Sequence, residues 1–300
     1  MQSGCITKPR WSPDGRFLAI PAQSGSIGIF DLNAGRVTRT LGPHSGEVTA
    51  LAWDRKAEFI LTGSLDRSMG LWQVESGKRA PFTGRGHSEP VHSVEWTDEE
   101  AFAITCSTDR ICALDGYCLQ TGWTAEMEEG LNRFTPFTAA ACSYRTTFLI
   151  AVLAESGGVL LLVNLVSADV LECVRMAEPA QCLAWSPEAL LLAVGAGQSI
   201  WLFHATHAGF EGSPLEITSQ APHVCALAFS SDGTLMASHD AQGLKIWEIK
   251  AVRLIATLRE DAENLSRRYP RSGIAFHPSK TLLAAVTPGG TAARILDVSA

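Results

Sequence analysis

The chain has 300 residues, of which 46% are hydrophobic and 18% charged, and its formal net charge is −7 at pH 7. The hydrophobic share is sufficient for a folded core, and the acidic balance provides no basic field for phosphate backbones, which argues against nucleic-acid binding. Apolar stretches such as 159–163 and 190–194 are far shorter than the roughly 20 residues that a membrane-spanning helix needs, so no membrane insertion is expected.

The N-terminal residues and the cysteines indicate the compartment. Residues 1–5 lack the positive start and the apolar segment of a secretory signal, so the sequence predicts a cytoplasmic protein, with the nucleus as an alternative. No Cys-x-x-Cys pair occurs, which gives little support for structural zinc, and the scattered cysteines are interpreted as buried free thiols. They are Cys5, Cys106, Cys112, Cys118, Cys142, Cys173, Cys182 and Cys225.

One pattern recurs along the chain: an apolar strand ends in an aromatic residue, a turn follows, and a second apolar strand begins. In the first copy, Trp11 and the turn 12–15 lead into a strand at 17–19, and further strands are predicted at 27–31 and 36–41. The copies are spaced 42 to 47 residues apart, a period typical of stacked β-repeats. Their reference positions are Trp11, Trp53, Trp96, the degenerate Cys142, Trp185, Phe229 and Phe276.

A single four-stranded unit cannot bury both of its faces, so neighbouring units must stack face to face around an axis. The sequence therefore predicts an all-β fold: a seven-bladed β-propeller with four-stranded antiparallel blades, formed by one domain over residues 1–300. Because the chain ends at the third strand of the last unit, that blade is predicted to lack its outer strand. The expected blades cover approximately 5–43, 44–86, 87–135, 136–177, 178–219, 220–260 and 268–300.

The repeats resemble the WD40 family, in which a His, a Ser or Thr, an Asp and a Trp of one blade form a hydrogen-bonded chain. The second blade matches all four positions, which implies a structural tetrad of His44, Thr62, Asp66 and Trp72. The third blade keeps His87, Thr105 and Asp109 but has Asp115 at the Trp position, and the sixth keeps Ser238, Asp240 and Trp247. The resemblance is specific for the fold and carries little information on function.

Motifs that would indicate catalysis are missing from the sequence. No G-x-S-x-G elbow and no phosphate-binding loop occurs, so no catalytic residue, cofactor or metal site is expected. The leading hypothesis is a non-catalytic protein–protein interaction scaffold or sensor module of a larger assembly. A propeller hydrolase or lyase acting at the central channel, and a reader of modified peptides or small ligands, remain the alternatives.

The resemblance also implies where partners bind, because WD40 partners often contact the narrow face of the ring. Three positions in each of the second, third and sixth blades match that surface, and they provide a carboxylate and several histidines. The candidate residues are Glu47, Thr49, Leu65, Pro90, His92, Thr108, His223, Cys225 and His239.

Two long connections between blades are further candidates. The segment 259–271 could dock an acidic peptide through Arg267, Arg268 and Arg271. The segment 116–135 contains Trp123 and Phe134, which could anchor a partner, although packing beneath the outer strand is the favoured interpretation. Further domains or subunits could complete the last blade.

Overall fold

A computed structural model describes residues 8–22, 24–81, 87–97, 102–115, 125–143, 149–219, 223–240, 242–259, 273–286 and 293–298. In these ranges the chain forms 25 strands, one α-helix and one turn of 3-10 helix at Glu155–Gly157. The strands make seven antiparallel sheets, each from consecutive strands of the chain. The predicted all-β, seven-bladed propeller is therefore confirmed.

The first three sheets occupy the N-terminal part of the chain. The first sheet has β1 (Arg10–Trp11), β2 (Phe17–Pro21), β3 (Ile27–Asp31) and β4 (Arg36–Leu41). The second has β5 (Val48–Trp53), β6 (Phe59–Ser64) and β7 (Met69–Gln73). The third has β8 (Val91–Trp96), β9 (Phe102–Ser107) and β10 (Ile111–Asp115), and α1 (Ala125–Asn132) follows it.

The remaining four sheets follow in chain order. The fourth has β11 (Ala139–Cys142), β12 (Leu149–Ala154), β13 (Val159–Asn164) and β14 (Val170–Arg175). The fifth has β15 (Ala180–Trp185), β16 (Leu191–Ala196), β17 (Ser199–Thr206) and β18 (Gly209–Thr218). The sixth has β19 (Ala226–Phe229), β20 (Leu235–Asp240), β21 (Gly243–Glu248) and β22 (Arg253–Arg259), and the seventh has β23 (Ile274–Phe276), β24 (Leu282–Val286) and β25 (Ala293–Asp297).

The first strand of every sheet lies at the centre of the ring. Each of these strands contacts the first strand of the next sheet, and β23 of the seventh sheet contacts β1 of the first, so the ring is closed. Apolar clusters fill the interfaces between adjacent sheets, for example around Ile29 and Trp53 between the first and second and around Leu18 and Ala284 between the first and seventh. Stacking of these sheets buries the apolar faces that no single sheet covers.

The connection between the third and fourth blades contains the helix α1, an element that the all-β prediction did not include. Its sequence is rich in Ala, Glu and Met, which favour helix formation. Leu131 at its C-terminal end is fully buried beside Phe137 in the cluster between these two sheets, and this contact fixes the helix to the ring. No helix in the described ranges is long and apolar enough to span a membrane.

The outer strands differ from blade to blade. The first, fourth, fifth and sixth sheets have four strands, whereas the described residues of the second, third and seventh sheets form three. The prediction that the N-terminal residues do not complete the last blade falls on residues 1–7, outside the described ranges. Among the cysteines that the structure describes, five are buried, as expected, and Cys173 is exposed, because it lies on the outer strand β14.

Candidate interaction site

The second blade contains a hydrogen-bonded chain that ends at the narrow face, the face formed by the loops before the inner strands and between the second and third strands. His44 Nδ1 lies 3.2 Å from Asp66 Oδ2, His44 Nε2 lies 2.7 Å from Thr62 Oγ1, and Trp72 Nε1–H donates to Thr62 Oγ1 over 2.9 Å. Because an ionised carboxylate only accepts hydrogen bonds, Nδ1 carries the proton and Nε2 accepts from the Thr62 hydroxyl. The chain connects two loops to a buried strand.

The surroundings of His44 and Asp66 keep the hydrogen-bonded chain of the second blade in one protonation state. Burial lowers the pKa of His44 below its usual value, although Asp66 opposes this shift. Burial alone would raise the pKa of Asp66, but hydrogen bonds from Ser68 and from the backbone N–H of Ser45 outweigh it and hold that pKa well below its ordinary value. The loops are therefore anchored by an ionised carboxylate and a neutral imidazole near neutral pH.

The third blade has a shorter version of the same chain. His87 Nε2 lies 3.0 Å from Thr105 Oγ1, and His87 Nδ1 lies 3.4 Å from Asp109 Oδ1. Position 115 is an aspartate, so the tryptophan N–H of the second blade has no counterpart here. Ser88 donates from its backbone N–H and its hydroxyl to the Asp109 carboxylate, as Ser45 does to Asp66 in the second blade.

The sixth blade replaces the histidine by a buried ion pair that sequence reasoning missed. Lys245 Nζ lies 2.7 Å from Asp240 Oδ2 and donates to the carbonyl and hydroxyl of Ser219. Both charged side chains are almost fully buried, and Trp247 Nε1–H donates to Ser238 Oγ over 2.8 Å. The only sequence signal was a lysine inside the apolar strand β21.

These anchors hold the loops of the narrow face, and six of the predicted partner-binding residues are accessible there. Leu65 and His223 are exposed, and the other four are partly exposed. The backbone N–H of Leu65 donates to the carbonyl of Glu47 over 2.9 Å, so these two residues from different loops are brought together. The six accessible residues are Glu47, Leu65, Pro90, His92, Thr108 and His223.

The structure corrects three members of the predicted set, because Thr49, Cys225 and His239 are buried. Thr49 donates its hydroxyl to the carbonyls of Gly63 and Val91, so it joins the second and third blades. The thiol of Cys225 lies 3.5 Å from His239 Nδ1 inside the sixth blade. These side chains face neighbouring strands and cannot contact a partner directly.

The two long connections contribute less than the sequence suggested. Arg267, Arg268, Arg271 and Trp123 lie outside the described residues. Phe134 is partly buried against the cluster between the third and fourth sheets, whereas the predicted packing beneath an outer strand of the third blade falls outside the described residues.

The central channel opens at the opposite face of the ring into a cavity of about 480 Å³. Its lining includes Lys8, and Arg10 and Glu95 form an ion pair there. Sequence reasoning placed no polar pair at this channel, so the structure adds one. Burial raises the pKa of the neighbouring Cys182 thiol to about 12, which keeps it protonated and weakly nucleophilic.

Comparisons with known protein families agree with this architecture. Residues 1–56 match the model of the anaphase-promoting complex subunit 4 WD40 domain, and residues 80–114 match the WD domain, G-beta repeat. Human F-box-like/WD repeat-containing protein TBL1Y is 33% identical over 115 residues, which are 36% of this chain and 21% of that protein. Cell division cycle 20.4, cofactor of APC complex, from Arabidopsis thaliana is 24% identical over 96% of this chain and 52% of its own length.

Solved structures show the same fold at low sequence identity. The Cps50 (Swd1) β-propeller domain of Myceliophteria thermophila has a TM-score of 0.79 and 21% identity, with 100% of this chain and 99% of that chain covered. A chain of the mitotic checkpoint complex has a TM-score of 0.71 and 20% identity, with 80% and 73% covered. Hydrazine synthase of Kuenenia stuttgartiensis has a TM-score of 0.80 and 12% identity over 100% of this chain and 99% of that chain.

The seven sheets, the hydrogen-bonded loop anchors and these matches define the class: the protein is a seven-bladed β-propeller whose repeats are similar to WD40 repeats. The chain is similar to WD-repeat proteins, and it spans between about a fifth and about half of the length of these two curated relatives.

Proposed function

We propose that this propeller is a non-catalytic protein–protein interaction module of a larger assembly and that it docks partners on the narrow face. The observation that carries the proposal is the anchoring of the narrow-face loops by His44–Asp66 and His87–Asp109. Loops held in this way present Leu65 and its neighbours at fixed positions, so little conformational entropy is lost when a partner binds.

The surface has the composition of a small docking site. Leu65 is 39% exposed and provides an apolar contact, Glu47 lies beside it, and the partly exposed His92 provides a further polar group in the third blade. An apolar centre with a polar rim is typical of protein interfaces. Proteins or peptides are thus the proposed partners, and the cytoplasm or nucleus the proposed location.

The comparisons support this role at a coarse level. Relatives and structural neighbours include a cofactor of the APC complex and a chain of the mitotic checkpoint complex, and one matching family model describes a subunit of the anaphase-promoting complex. Because those proteins are named as members of complexes, a place in a multi-subunit assembly is the simplest function for this chain.

The experiment compares two folded variants in affinity purification followed by mass spectrometry. The first variant carries Glu47→Ala, Leu65→Ser and His92→Ala on the narrow face; His239 is left unchanged because it is buried. The matched control carries Lys56→Ala and Glu188→Ala in exposed turns of the opposite face.

We expect proteins that copurify with the natural chain to be lost from the first variant and retained by the control. Retention of every partner by the first variant, with an unchanged unfolding temperature, would disprove this docking surface. Equal loss from both variants would show that the contacts are not confined to the narrow face.

A finer proposal concerns the last blade, where a further domain or subunit would add a strand beside β25. The neighbouring outer strand β22 exposes Leu254 and Leu258 by 43% and 41%, an apolar surface that an added strand would cover. Replacing both leucines by Ser should weaken assembly, whereas Val37→Ser on the outer strand of the first blade should not. Unchanged assembly in the leucine variant would contradict this role.

A further inference from the structure

The inner strands build a layered wall around the channel. In every sheet, the residue before the reference aromatic or Cys142 pairs with the third residue of the next strand, so these seven residues are structurally equivalent. Five are alanines and two are charged: Arg10, Ala52, Glu95, Ala141, Ala184, Ala228 and Ala275.

Lys8 adds a second cation to this wall. It lies two residues before Arg10, at a level where the other inner strands carry small side chains such as Ala50, Ala226 and Cys182. Arg10, Glu95 and Cys182 are its electrostatic neighbours. The inner wall therefore concentrates three ionisable side chains at levels where most other inner strands carry small residues, and Arg55 lines the cavity from an exposed turn.

The charges in the channel do not balance. Arg10 and Glu95 pair with each other, and their side chains are only 27% and 15% exposed. In the described part of the chain no carboxylate forms an ion pair with Lys8. On the inner strands and at Lys8, two cations and one carboxylate leave one net positive charge, and Arg55 adds a further cation at the exposed rim of the cavity. A surplus of positive charge that is partly shielded from solvent is unfavourable.

The protonation of Lys8 reflects this imbalance. Burial, followed by repulsion from Arg10, lowers the pKa of the Lys8 ammonium below its usual value. An anion beside Lys8 would oppose both effects by pairing with the charged form.

The cavity has room for such a group. Its volume of about 480 Å³ falls within the range of roughly 300–1,000 Å³ found for small-ligand sites. Trp11, Trp53, Trp96 and Trp185 lie around it, and it opens between the turns that follow the inner strands, on the face opposite to the narrow face. A ligand here would not compete with a partner on the narrow face.

We propose that the channel cavity binds a carboxylate group, carried by a small organic acid or by an acidic side chain of a partner peptide, with Lys8 and Arg10 as donors. A carboxylate matches the net charge of the inner wall. Glu95 balances one of the two cations Lys8 and Arg10, and the single negative charge of the ligand would balance the other. A doubly charged phosphate would replace the surplus cation of the inner wall, at Lys8 and Arg10, by a surplus anion. The site is independent of the proposed docking surface.

The test is an NMR titration of the ¹⁵N-labelled full chain, read from the indole N–H signals of the four tryptophans around the cavity. Sodium acetate serves as the probe for a free carboxylate, and an acetylated and amidated Gly-Glu-Gly peptide as the probe for an acidic side chain. Sodium chloride at equal ionic strength is the control for screening.

Three variants separate binding from structure. Lys8→Gln should weaken carboxylate binding by about tenfold or more, because it removes the unpaired ammonium. Glu95→Gln should strengthen binding, because it raises the net charge of the channel and frees the Arg10 guanidinium. Lys56→Gln, which removes an exposed lysine outside the cavity, should leave binding unchanged.

The result distinguishes the sources of the carboxylate. Equal affinity for both probes indicates a small organic acid, and much tighter binding of the peptide indicates an acidic segment of a partner. Failure of both probes to give saturable shifts beyond those of chloride overturns the proposal, as does wild-type binding by Lys8→Gln or weaker binding by a folded Glu95→Gln variant.

Discussion

Trp11 and His277 meet edge to face across the junction of the first and last blades, with ring centroids 4.8 Å apart and ring planes at 60°. Trp11 Nε1–H donates to the carbonyl of Ala275 over 3.2 Å, and His277 Nε2–H donates to the carbonyl of Gly15 over 2.9 Å. Gly15 has a φ of +71° and lies directly against the imidazole, so a larger residue would fit neither the turn nor the contact. The inner strands thus close the ring.

His277→Ala should lower the free energy of unfolding by about 2 kcal/mol, because it removes the bond to Gly15 and the contact with Trp11. Urea unfolding followed by tryptophan fluorescence measures the change. His204→Ala, at an exposed histidine of β17, is the control and should have little effect. Equal stability of the two variants would contradict a role of His277 in closure.

As the pH is lowered, protonation of His277 should weaken the closure of the ring before the carboxylates become protonated. Burial lowers the pKa of His277 below its ordinary value of 6.5. Between the pKa of His277 in the folded protein and 6.5, the unfolded chain therefore binds more protons than the folded protein. The contribution of neutral His277 to the free energy of unfolding is complete above pH 6.5 and is lost as the pH falls towards the folded pKa. His44, His87 and His92 shift in the same direction, also through burial.

The unfolding free energy should consequently decrease from about pH 7 to about pH 5. His277→Ala should show a smaller decrease, because that variant no longer contains one of the shifted groups. Urea unfolding at both pH values tests this, and an identical pH dependence in the variant would refute the contribution of His277.

Thr62→Val should destabilise the protein more than Thr105→Val. Thr62 bonds both His44 and Trp72, so its loss leaves two buried polar groups without a partner, at about 1–3 kcal/mol each. Thr105 bonds only His87 of the equivalent pair, because its blade lacks the tryptophan. Thermal unfolding of both variants gives the comparison, and a larger loss in Thr105→Val would be inconsistent with it.

Lys245→Met should be among the most damaging substitutions, with a loss of about 3–5 kcal/mol. It leaves the buried Asp240 carboxylate without its cation, although Ser219 still donates to it. Adding Asp240→Asn should recover part of the loss, because the amide does not need a counter-ion. A double-mutant cycle measures the coupling, and a coupling near zero would show that the two side chains act independently.

Trp53→Phe and Trp96→Phe should change the stability of the protein by different amounts, although both residues lie at the ends of inner strands. Trp53 Nε1–H donates to the carbonyl of Arg10 over 2.9 Å, so its removal should cost about 1 kcal/mol. Trp96 Nε1 is buried and finds no acceptor in the described structure, so its replacement should be neutral or stabilising. Chemical denaturation of both variants measures the change in unfolding free energy. A larger loss for Trp96→Phe than for Trp53→Phe would contradict the assigned difference in hydrogen bonding.

The sequence alone predicted the seven sheets and the hydrogen-bonded chain of the second blade. Aromatic residues 42 to 47 residues apart, each followed by a turn and an apolar strand, fix the number of blades because every copy is a local pattern. The chain from His44 to Trp72 was also predictable, since its members lie within one blade and follow a family motif.

Contacts between blades could not be predicted in the same way. Arg10 and Glu95 are 85 residues apart in sequence, and Trp11 and His277 lie at opposite ends of the chain, so no local spacing relates them. The burial of His239 likewise depends on neighbouring strands rather than on its own repeat. The sequence by itself determined the seven blades, because periodic apolar strands encode them; the tertiary structure decided which charges meet in the channel and how the ring closes, because these depend on the relative placement of whole sheets.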